Sequence, residues 1–176
     1  MDPGLQDLQG KAERVKPAEL AALLVEFHRE KAALYARHVA VARVASQYDV
    51  NNAYQYVIGR EEQHLDWLRQ AILDSGGSVP EAGQADEPAR PSDDDGLRAL
   101  ARADADGLRA AVEGWRGRLP AVGNARHRKM LDLTLGEMLE QARFFEQAAA
   151  GRLDLLGRRT GGPRTAGDVL ATRWIT

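Results

Sequence analysis

Three polar residues stand where the helical pattern of this chain calls for apolar ones: His28, Glu61 and His64. Each residue advances about 100° around a helix. With His28 set at zero, Ala21, Leu24, Val25, Ala32, Tyr35, Val39 and Ala42 fall within about 60° of it, whereas Glu26 and Glu30 point away. Glu61 and His64, three residues apart and so on one helix face, lie amid Tyr54, Val57, Leu65 and Leu68. A carboxylate and an imidazole are costly to bury without partners. A metal ion is one partner that suits both. A third helix carries Asp104 among Leu97, Leu100, Leu108, Ala111 and Trp115. On a fourth, Glu137 and Glu140 share a face with Met130, Leu133, Gln141 and Phe144. About 100° round lies a more apolar face of Leu131, Leu135, Met138, Ala142 and Phe145. If that second face is the buried one, Glu140 points away and Glu137 stands at the boundary.

The elements that must position these residues are four helices. Pro17 suits a first helical turn, and helical spacing then continues to about Ser46. Asp49 to Asn52 reads as a short polar turn, followed by a helix to about Ser75 that Gly76-Gly77 ends. Residues 76–92 have no periodicity and read as a linker. Fully extended, it reaches roughly 56 Å, more than the ~39 Å of a helix of about 26 residues, so it can cross a whole bundle and leave helices two and three parallel. Ser92 and Asp93-Asp94-Asp95 open helix three, with acids at the positive end of the dipole. Pro120 to Asn124 turns the chain into helix four, expected to run to about Leu156. Residues 1–16 form an N-terminal extension, 17–156 the bundle, and 157–176 a Gly/Pro-containing tail with apolar Val169, Leu170, Trp174 and Ile175.

The two hairpins repeat. An offset of 76 pairs Ala21, Leu24 and Val25 with Leu97, Leu100 and Ala101, and Tyr54, Val57 and Leu68 with Met130, Leu133 and Phe144. It also pairs His28 with Asp104, Glu61 with Glu137 and His64 with Glu140, so that all six could meet near mid-bundle. A rival offset of 77 suits helix four better and helix three less well, and the offset of 76 is preferred.

Composition narrows the function. A formal net charge of −2 gives no global field for nucleic acid. Zero cysteines exclude disulfides, thiolate sites and Cys nucleophiles. No signal-peptide pattern and no run of about 18 apolar residues is present, so no membrane role and a cytoplasmic location are expected.

The pattern resembles the ferritin-like superfamily, especially rubrerythrin and bacterioferritin. Glu61-Glu62-Gln63-His64 matches its Glu-x-x-His motif, and Tyr35 its inward tyrosine. His28 stands where the family has Glu, Asp104 replaces the first Glu of the second hairpin, and Glu137-Met138-Leu139-Glu140 replaces its Glu-x-x-His. The resemblance implies an all-α, ferritin-like four-helix bundle of two helical hairpins joined by a long crossover. It implies His28, Glu61, His64, Asp104, Glu137 and Glu140 as metal ligands, with Tyr35 beside them. The ion would be Fe, or else Mn or Zn, one ion or two, with oxidase- or peroxidase-type chemistry. The alternative is a metal-free helical scaffold or interaction protein that has lost the site. A homodimer is expected through whichever apolar face of helix four does not line the core, and the tail could dock on a protein partner.

Overall fold

The computed structural model describes residues 17–156 except 82, 84 and 153, so the N-terminal extension and the C-terminal tail lie outside the described residues. Four helices are present: α1 (Pro17–Val44), α2 (Tyr48–Asp74), α3 (Asp94–Arg116) and α4 (Ala125–Ala149), with one 3-10 turn at Leu119–Ala121. Among the described residues none of these helices is long and apolar enough to cross a membrane.

The helix ends follow from local chemistry. Asp93 caps α3 by accepting from the Gly96 N–H at 2.8 Å, and Asn124 caps α4 by accepting from the Arg126 and His127 N–H groups at 3.0 and 3.1 Å. Both α2 and α4 end on a left-handed glycine, Gly76 at φ 75° and Gly151 at φ 79°. In each case the next N–H reaches back to the third-last carbonyl, Gly77 to Ile72 and Arg152 to Gln147, which satisfies exposed carbonyls of the last turn. This stop ends α4 at Ala149, seven residues before the expected Leu156. The turn between α1 and α2 also lies earlier than the polar run Asp49–Asn52 suggested. Asn51 is already helical, and its Nδ2 donates to the carbonyls of Ala42 in α1 (2.7 Å) and of Ala45 just past its end (3.5 Å). It closes the preceding helix rather than opening its own.

Side-chain contacts give the helix directions. Gly107 of α3 faces Leu34 of α1, and Trp115 packs edge-on against Phe27 with ring centres 4.7 Å apart. Numbers rise on one helix as they fall on the other, so α1 and α3 are antiparallel. Tyr54 lies 4.5 Å from Phe145, while Arg60 reaches Glu137, so α2 and α4 are antiparallel too. Helices α2 and α3 therefore run parallel, and the linker spans the bundle as its length allowed. The result is an all-α four-helix bundle of two hairpins joined by a long crossover.

The inward rows keep heptad spacing. On α2 they read Val50, Tyr54, Val57, Glu61, His64, Leu68, Ala71; on α4, His127, Leu131, Thr134, Met138, Gln141, Phe145, Ala148, all buried. These two rows correspond at an offset of 77. The same offset pairs the buried Leu24, Phe27, His28, Lys31 and His38 of α1 with Ala101, Asp104, Ala105, Leu108 and Trp115 of α3. Burial thus selects the rival offset over 76.

Trp115 joins α3 to α1. Its indole Nε1 donates to Glu30 at 2.6 Å, and Arg118, bound to Glu26, lies 3.8 Å over the ring. Trp115→Ala is expected to cost about 3–5 kcal/mol in urea unfolding; a loss under about 1 kcal/mol would remove this anchor from the account.

Candidate functional site

Helix α1 does not turn His28 to the centre of the bundle. Its deepest row is Leu24, Lys31, His38 and Ala45, seven residues apart and buried throughout, with Lys31 only 1% exposed. His28 is buried at the edge of that face, and the charged group acting on it is Arg69, two turns beyond Glu61 along α2. Burial, helped by Arg69, holds its imidazole below the usual range.

Glu61 meets two donors from α1. The Lys31 ammonium donates to its Oε1, and the His38 Nδ1–H donates to Oε2 at 2.8 Å. All three side chains are essentially sealed from water. Burial alone would raise the Glu61 carboxyl, but His38 and Lys31 outweigh it and keep the group ionised, below the ordinary carboxylate range. Burial pulls Lys31 the opposite way from its partner, below the usual ammonium range, while Glu61 draws it back up.

Glu137 stands at the boundary of the α4 core. Arg60 grips it with Nε and Nη2 at 2.5–3.0 Å, and the His64 Nε2–H donates to Oε2 at 2.9 Å. Burial holds His64 below its usual range, with the Lys31 charge acting in the same sense. Neutral His64 thus donates through Nε2, and its Nδ1 has no partner among the described residues.

Asp104 is buried at a different level. It accepts from the Tyr54 hydroxyl at 2.5 Å and from Arg37 Nε at 2.5 Å. Burial and the Asp104 charge push the Tyr54 hydroxyl far up. Arg37 lies nine residues past His28 on α1, about 13 Å by helical rise, so Asp104 and His28 do not share a level. Tyr35 donates to exposed Glu62 at 3.0 Å, outside the core. Glu140 is exposed, as the burial of the Leu131–Phe145 face requires.

Each expected carboxylate that turns inward therefore already has a cation of the chain and a second donor: Lys31 and His38 on Glu61, Arg60 and His64 on Glu137, Arg37 and Tyr54 on Asp104. At the offset of 77, the second-hairpin counterparts of His28, Glu61 and His64 are Ala105, Met138 and Gln141. None supplies a strong donor to Fe, Mn or Zn. Among the described residues no group of three or more His, Asp or Glu is placed to hold a metal ion. The six expected ligands do not converge, and this arrangement does not fit the ion that the resemblance implies.

Several central residues escaped the sequence reading. Lys31 and His38 are not among the residues that the sequence pattern singles out. Their seven-residue spacing from Leu24 was the available signal. Tyr54 reads only as core, and nothing in the sequence pattern marks Arg37 or Arg60.

Two outcomes follow. Lys31→Met leaves Glu61 buried with only His38 and is expected to cost about 3–5 kcal/mol. Adding Glu61→Leu removes the stranded charge and should recover most of it. Urea unfolding of both variants checks this, and equal losses would contradict it. Acidification should destabilise the fold in two steps. The buried His28 and His64 resist protonation, so the unfolded chain binds more protons below about pH 6.5, and stability falls from there downward. Glu61 and Glu137 have lowered folded values, so their contribution is present above about pH 4.3 and is lost as pH falls through those values. Melting temperatures near pH 7.5, 5.5 and about 3 measure both steps; a flat profile would contradict them.

Comparison with known proteins finds no family model, no curated protein and no solved structure that matches this chain.

Proposed function

We propose that this chain is a metal-independent helical scaffold of the ferritin-like type, whose work is interaction rather than catalysis. The observation that carries this reading is the Lys31 ammonium on Glu61. A fixed cation of the chain stands on the carboxylate of the Glu-x-x-His motif. A divalent ion there would have to displace it or sit against its charge. The counterparts Ala105, Met138 and Gln141 support the same reading, because the second hairpin offers no balancing ligand set.

Outward-facing apolar side chains support an interaction role. Tyr48 and Leu73 of α2 and Leu133 of α4 are 69%, 51% and 46% exposed. A second copy of the chain, in the cytoplasm, is the simplest partner for such a surface.

The competing reading, a metal-binding oxidoreductase, draws on the buried Nδ1 atoms of His28 and His64, which have no hydrogen-bond partner among the described residues. Elemental analysis of the purified protein, with melting before and after chelator, separates the two. The scaffold reading expects no stoichiometric Fe, Mn or Zn and an unchanged melting temperature. Stoichiometric metal that is lost in His64→Ala would overturn it.

A further inference from the structure

Gln141 carries an unsatisfied amide in the wall of a cleft. It is 2% exposed, and among the described residues neither its Nε2 nor its Oε1 has a hydrogen-bond partner. Buried amides are ordinarily paired at both ends. The repeat counterpart, His64, does have a partner in Glu137.

The cleft lies between α2 and α4, measures about 140 Å³ and is open to solvent; Tyr56, Arg60, Glu137, Glu140, Gln141 and Phe144 line it. Tyr56 and Phe144 form an edge-to-face pair with centres 5.6 Å apart, which leaves aromatic surface for a flat ring. A primary amide offers a donor beside an acceptor and matches a ligand edge with the reverse arrangement. This is the geometry by which Gln pairs with adenine. The terminal amide torsion of Gln is soft, so the group can turn toward the cleft at small cost. Two carboxylates against one guanidinium make the lining net negative, which disfavours phosphates and other anions.

We propose that this cleft binds a small uncharged planar heterocycle with a hydrogen-bond donor beside an acceptor, either an adenine-type amino edge or a lactam. The site does not involve the Lys31–Glu61 pair, and its test is independent of metal content.

Chemical-shift titration of the full chain with adenosine and with uridine separates the two sources of that edge. At least one is expected to shift Tyr56 and Phe144 ring signals saturably, with a Kd on the order of 1 mM. N6,N6-dimethyladenosine, which lacks the donor, and AMP, which adds charge, are expected to bind more weakly than adenosine. Gln141→Leu should weaken binding at least about tenfold without lowering the melting temperature, because it removes an unpaired buried amide. Should that variant not fold, Tyr56→Ala at an exposed position is expected to weaken binding several-fold. No saturable shift with either nucleoside, undiminished binding in Gln141→Leu or Tyr56→Ala, or tighter binding of AMP than of adenosine would overturn the proposal.

Discussion

A charge sealed away from water must be neutralised where it stands, and the interior of this bundle is organised around one such pair. Lys31 and Glu61 face each other across α1 and α2 with almost no exposure, and His38 takes the remaining carboxylate oxygen. Taking either ion out of water costs several kcal/mol even after relaxation, so neither is tolerable alone. The pair therefore restricts which register α1 can take against α2, since a slip of one turn would strand both charges. The other two buried or half-buried carboxylates obey the same constraint and extend it to the remaining helices. Arg37 and Tyr54 tie Asp104 of α3 to α1 and α2. Arg60 and His64 tie Glu137 of α4 to α2.

The relation between the hairpins explains where these bonds fall. Arg60 and Glu137 are counterparts at the offset of 77, and they touch across α2 and α4. The axis relating the halves therefore passes near this level. Two identical charged residues there would repel, whereas the opposite charges of Arg60 and Glu137 form a bond. At the neighbouring inward positions the halves differ in another way: Glu61 faces its polar partners, while its counterpart Met138 contributes only apolar volume. The bundle keeps the architecture of a repeated hairpin and places unlike chemistry on its two halves. Gln141 shows the same asymmetry, an inward polar residue whose counterpart His64 has a partner and which has no hydrogen-bond partner itself among the described residues.

Much of this was legible in the sequence, and the failures have identifiable causes. The second helix read correctly, with Glu61 and His64 inward, because its apolar stripe is unbroken and both residues sit squarely in it. The crossover length allowed α2 and α3 to be parallel. On α1 the reading centred on His28, roughly 70° from the actual inward row. A flat wheel of 100° per residue accumulates about 20° of error per heptad against a bundle that supercoils at 3.5 residues per turn. Lys31 was then passed over because lysine is rarely buried without a partner, and its partner lies thirty residues away. For α4 both faces were in view, and only packing could choose between them.

What the sequence determined by itself is therefore the local part. Periodicity set four helices, Asp93 and Asn124 set two of their starts, Gly76 and Gly151 set two of their stops, and the linker's length permitted the crossover, because each depends on residues within a turn or two of one another. Which polar groups meet was decided only by tertiary structure. Glu61 carries the same carboxylate whether its neighbour is a metal ion or Lys31. That choice rests on the rotation of α1 about its own axis, which is set by how four helices share one dry interior.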